Sequence, residues 1–265
     1  MSHWHSFIIQ KLLCADRSGI LLAPIIFLAI IAGPLASPAG AQAPGTFALP
    51  HQITAPSGQA LTSIDPSYQA QMAGISEARS VLSRGDLPNA IQLLQSFCAK
   101  YPNNSDGHFW LAVANRQVND LPTTLNEYTR SLETAKNDGL DSAELRNNLG
   151  NLLIQLNYVK EAEYDFQRAL EIDPGLWQAH ENLGRLFLIQ GRFKEALQEL
   201  NGDAASTHLT ANLCLLRALA YLALSNQAQA KTWLEKCIDL SSRNQDPIDI
   251  LVGQKAKGLR QMLAQ

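Results

Sequence analysis

From Gln71 onward, apolar side chains recur three and four positions apart, in blocks separated by short polar turns, which predicts amphipathic helices. Small residues recur on a longer period. They fall at Ala78, Ala112, Gly150, Gly184 and Ala218, in steps of 34, 38, 34 and 34 residues. A second series runs Ala90, Thr124, Ala162, Ala196 and Ala230. Four residues after each of these come Leu94, Tyr128, Phe166, Leu200 and Leu234. Small side chains let two antiparallel helices approach closely, and the bulky ones fill the space beside them. A fixed period of this length predicts an array of helix–turn–helix units, each burying its apolar face on its neighbours. The register gives five units over 67–244, at 71–104, 105–138, 143–176, 177–210 and 211–244. The 38-residue step places a four-residue insertion at Gly139-Leu140-Asp141-Ser142.

The turns support this register. Gly85-Asp86-Leu87-Pro88 and Asn119-Asp120-Leu121-Pro122 occupy equivalent places, and proline in a first helical turn loses no hydrogen bond. Asn115 stands where an apolar residue is expected, which predicts looser packing in the second unit. In the fourth unit Asn201-Gly202 predicts an early helix end, with 203–208 as a longer connection. Asp246-Pro247 reads as an N-cap followed by proline. The helix it starts, within 245–265, is expected to cap the array with Ile248, Leu251, Val252, Leu259, Met262 and Leu263 on one face.

The N-terminal stretch differs in kind. Lys11 and Arg17 precede an apolar run from Ile20 to Ile31, and small residues follow at Ala39-Gly40-Ala41. This pattern predicts a signal peptide over 1–41, cleaved near Ala41, and hence an exported, periplasmic or secreted protein. The run is shorter than the ~20 residues that span a bilayer comfortably. The alternative is an uncleaved leader serving as an inner-membrane anchor. Residues 42–66 are rich in Ala, Pro, Gly, Ser and Thr without sustained periodicity, and read as a flexible linker.

Composition narrows the function classes. The net charge is −3 and Lys and Arg do not cluster, which argues against a nucleic-acid footprint. No spacing of His, Cys, Asp or Glu suggests a metal site, and no glycine-rich phosphate loop precedes a helix. No cofactor is expected. His108 and His180 fall where the repeat places a packed first-helix residue and read as core or edge histidines. Glu161, Glu163 and Asp165 alternate with Lys160 and Arg168, the pattern of a solvated helix face. Trp110, Trp177 and Trp233 read as packing residues.

The two central units carry a resemblance. Asn148-Leu149-Gly150 returns as Asn182-Leu183-Gly184, and Lys160-Glu161-Ala162 as Lys194-Glu195-Ala196. With Leu153, Phe166, Ala169 and Pro174, these residues resemble the tetratricopeptide repeat. The resemblance implies an all-α, right-handed superhelical solenoid with a C-terminal capping helix. It also implies a non-enzymatic module that holds a partner's peptide or helix in a concave groove, as a scaffold or assembly factor. By the same resemblance the groove is lined by Arg79, Phe109, Arg116, Asn147, Asn151, Asn182 and Arg185. Asparagine amides both donate to and accept from an extended backbone. A carboxylate clamp is not expected, because Asn147, Asn212 and Leu216 stand where its basic residues would be.

Leu215, Leu219 and Leu222 form an apolar stripe toward the same groove. It reads as an anchor for a partner, or as a surface covered by the capping helix or a second subunit. Self-association as a structural spacer is therefore the alternative function. In an antiparallel helix pair, Cys214 and Cys237 lie at a helix start and a helix end that meet. An oxidising compartment makes a disulfide there a candidate, and two small buried thiols are the alternative reading.

Overall fold

Five left-handed backbone positions organise the helices. Gly85, Asn119, Asn157, Gly191 and Ser225 have φ of 80°, 60°, 66°, 78° and 58°, and they recur with the period of the small residues. Each follows the end of a unit's first helix. Its N–H donates to a carbonyl three residues back, and the next N–H reaches five back, as in Gly191 to Leu188 and Arg192 to Phe187. This pair of hydrogen bonds satisfies carbonyls that a helix end leaves open, and only a left-handed residue allows it.

In the computed structural model, residues 66–137, 141–243 and 246–263 are described. The leader, the linker up to residue 65 and the first part of the insertion lie outside them. The described residues form twelve helices and no strand. They are α1 Pro66–Ser83, α2 Leu87–Lys100, α3 Ser105–Gln117, α4 Leu121–Asn137, α5 Ala143–Gln155 and α6 Val159–Ile172. There follow α7 Trp177–Ile189, α8 Phe193–Asn201, α9 Asp203–Thr207, α10 Ala211–Ala223, α11 Gln227–Arg243 and α12 Pro247–Met262. None of these is long and apolar enough to cross a membrane. The chain divides into two compact units at residues 152 and 153, inside α5.

In the first unit, α1 packs on α2 and α3, and α3 on α4. Its core joins Ile75, Ala78, Leu82, Leu94, Phe97 and Leu111. Phe97 fills a slot between glycines: a Cβ on Gly107 would lie 2.7 Å from its ring, and one on Gly74 3.0 Å. Asn115 is buried and its Nδ2 donates to the Leu111 carbonyl at 2.8 Å, so the expected loose packing is replaced by a satisfied polar contact.

In the second unit, α6 packs on α7, α7 on α8, and α10 on α8 and α11. A Cβ on Gly184 would meet Leu200 at 2.6 Å, so glycine permits the close crossing of α7 and α8. Helix α8 ends at Asn201, and the connection contains the short α9. Helix α12 packs on α10 and α11, and the Asp246 carboxylate accepts from Ile248 N at 2.7 Å. Its buried face is Val252, Gly253, Ala256 and Leu259, whereas Leu251 and Met262 point outward. The expected face is thus rotated, because Gly253 is the residue that lets α12 settle against Ser241 of α11.

Candidate partner-binding faces

The expected groove residues fall on first helices in both units. In the first, the half-buried Phe109 meets the Trp110 ring edge-on at 5.3 Å and the Tyr128 ring at 5.9 Å. The Arg79 guanidinium lies 4.6 Å from the centre of the Trp110 ring, within cation–π range. Burial pushes the Tyr128 phenol up to about 12, against the opposing pull of Arg116, which donates a hydrogen bond to it. Arg79, Trp110, Phe109, Tyr128 and Arg116 therefore form a continuous chain of rings and guanidinium groups across α1, α3 and α4. On α5, Asn151 is half-buried and Asn147 is buried.

In the second unit Asn182 is largely buried, and its Oδ1 accepts from Arg185 Nη2 at 2.6 Å. Beside it, Glu181 accepts from Asn212 Nδ2 at 2.6 Å, tying α7 to the start of α10. Leu215, Leu219 and Leu222 are core residues at 5%, 1% and 1% exposure, not an exposed anchor. Apart from Asn212, Arg217 and Tyr221, α10 is apolar or small, and α8, α11 and α12 pack on it. Cys214 and Cys237 are free, buried thiols, the alternative to the candidate disulfide. Burial pushes their pKa values up to about 11 and about 12, which keeps both protonated and unreactive.

Several polar arrangements were missed from the sequence. His108 Nδ1 lies 2.6 Å from Glu127 Oε2 and its Nε2 2.9 Å from the Pro102 carbonyl. His180 repeats this with Glu199 at 2.7 Å and Pro174 at 3.0 Å. The signal was present, since each histidine precedes its glutamate by the same interval along the chain. Arg192 reaches back to Glu163 of α6 at 2.6 Å and also pairs with Glu195 at 2.6 Å. Arg217 is buried at an otherwise apolar position. Its Nε donates to the Leu200 carbonyl at 2.8 Å, closing the end of α8, and its guanidinium stacks on Trp233 at 4.4 Å. Among the described residues no cluster of His, Cys, Asp and Glu fits a metal ion. Two clefts open near the histidine pairs, of about 630 Å³ beside Glu127 and about 420 Å³ beside Glu199.

These features define an all-α array of helix-pair repeats, a class that typically serves as a protein–protein interaction module. Sequence models of the tetratricopeptide repeat match residues 143–176, 166–198 and 211–244, and the chain is a tetratricopeptide-repeat protein. Among curated proteins, none matches it in sequence. Solved structures share the fold. PilF of Pseudomonas aeruginosa superposes with a TM-score of 0.60 at 21% identity, covering 74% of this chain and 88% of its own. YrrB, described as having an unusual peptide-binding site, gives 0.53 at 18% identity, covering 68% and 90%. MamA of Desulfovibrio magneticus RS-1 gives 0.56 at 13% identity, covering 66% and 97%.

Proposed function

We propose that the chain is a non-enzymatic scaffold or assembly factor of the cell envelope. It is exported behind the leader at 1–41 and holds an extended peptide or helix of a partner protein against its first-helix faces. The observation that carries this reading is the half-exposed chain of Arg79, Trp110, Phe109 and Arg116. Tryptophan, tyrosine and arginine side chains dominate the energetics of protein interfaces, because they combine a large apolar area with directed polar contacts. Here the rings are held by one another before any partner arrives, which lowers the ordering cost of binding. The half-buried Asn151 adds an amide able to pair with a backbone. The peptide-binding site described for YrrB lends support to a peptide ligand on this fold. For location, support comes from the sequence of the leader.

Crosslinked capture from the envelope fraction tests this, with wild type compared with Arg116→Ala/Asn151→Ala. Both residues are half-buried, so the variant is expected to melt within a few degrees of wild type while its partner yield falls at least about tenfold, equivalent to about 1.4 kcal/mol. A partner retained in full would move the site elsewhere. Recovery of this chain alone would favour the self-associating spacer.

A further inference from the structure

His180 links three segments that meet where the third repeat passes into the fourth. Its ring belongs to α7, one nitrogen faces the Pro174 carbonyl in the preceding turn, and the other faces the Glu199 carboxylate on α8. Both neighbours are acceptors, and a carbonyl oxygen cannot donate in return. An ionised Glu199 cannot donate either. Both contacts are therefore hydrogen bonds only while both ring nitrogens carry protons. A neutral ring leaves a lone pair facing an oxygen.

We infer that His180 is a pH-operated lock, which fastens the Pro174 turn to α8 while its ring is doubly protonated and releases it as rising pH removes one proton. The setting favours the charged ring. The Glu199 hydrogen bond raises its pKa above the ordinary 6.5, and the Pro174 carbonyl and the charges of Glu199 and Asp173 act the same way, against burial. The pair is partly shielded, with the histidine side chain 19% exposed and the glutamate 25%. Several other charged groups on the surrounding elements are already engaged, while Lys194 lies on α8 itself. Glu171 of α6 pairs with Arg168, and Arg192 at the start of α8 pairs with Glu163 and Glu195. Glu181 of α7 accepts from Asn212, and Arg217 of α10 is held at the Leu200 carbonyl. Asp203 opens α9, and His208 at its end stacks on Trp177 at 5.5 Å.

The sign follows from linkage. A group whose pKa is raised on folding contributes stability that is fully present below its unfolded pKa and is lost as pH rises through its folded value. The lock is thus closed below about pH 6.5 and opens as the pH rises through the higher folded value. Helix α8 is then tied to the Pro174 turn less firmly.

The test titrates the His180 imidazole by NMR in the full chain and in Glu199→Gln. It also follows thermal unfolding of wild type and His180→Gln between about pH 6 and about pH 9. His180 should titrate above 6.5, and Glu199→Gln should return it toward that value. The stability advantage of wild type over His180→Gln should shrink by about 2–4 °C across the range. A His180 midpoint at or below the free value would overturn the lock, as would a midpoint unmoved in Glu199→Gln. A pH-independent difference between wild type and His180→Gln would do the same. Should His180→Gln fail to fold, the titration of wild type and Glu199→Gln decides alone.

Discussion

Ser225 sits at φ 58°, a backbone conformation that glycine adopts freely and side chains resist. Gly85 and Gly191 hold the equivalent place in their units, and asparagine, which tolerates this region, holds it at Asn119 and Asn157. Serine is the least suited of the five. Ser225→Gly is expected to stabilise the second unit by about 0.5–1 kcal/mol, since relief of strain outweighs the added freedom of the unfolded chain. Urea unfolding measures it, and a lower midpoint would mean that the Ser225 turn is not strained. Gly85 and Asn119 of this series were recognisable in the sequence as turn residues, within Gly85-Asp86-Leu87-Pro88 and Asn119-Asp120-Leu121-Pro122. Ser225 was not, because nothing in a serine marks a left-handed position until its neighbours close the turn.

Among the helices, the second of each pair begins at an equivalent place, occupied by Asp86, Asp120, Tyr158, Arg192 and Asn226. Asp86, Asp120 and Asn226 accept from the N–H three residues on, at 3.4, 3.2 and 3.2 Å. Tyr158 and Arg192 make no such bond. Arg192 instead ties α8 to Glu163 of α6. Tyr158 is 52% exposed and its phenol leaves the first N–H groups of α6 without a side-chain acceptor. Tyr158→Asp should restore the cap and raise stability by about 0.5–2 kcal/mol, read as a higher thermal midpoint. An unchanged midpoint would show that water serves those groups equally well. Periodicity foretold these helices and the early end of α8, yet it misplaced the buried face of α12. A period shows that a helix has two faces, and the neighbours choose between them.

On the scale of the whole molecule, the apolar stripe of α10 shows how burial can reverse a functional reading. Leu219 was an apt anchor on periodicity, but it is 1% exposed. Leu219→Asp would place a carboxylate in that core, and the expected loss is about 3–5 kcal/mol, enough to unfold residues 153–263 by circular dichroism. A folded variant with an unchanged midpoint would return the stripe to the surface. The proposed partner-binding residues were legible only as register positions. The sequence placed Phe109 and Arg116 on a first helix, but their link through Tyr128 depends on a second helix returning alongside. Asn147 and Asn182 shared that register and proved largely buried.

The number of repeats and the spacing of their small and bulky residues followed from the chain alone. Close helix crossings and left-handed turns impose their demands at single positions, and those demands recur with every unit. Tertiary structure decided which apolar residues are covered and which buried polar groups find partners. His180 with Glu199, and Arg217 with the Leu200 carbonyl, are contacts between residues far apart in sequence, made only when helices pack. A charge or histidine at an apolar register position signals that some partner must exist. Its identity comes from the neighbour that folding brings within hydrogen-bonding distance.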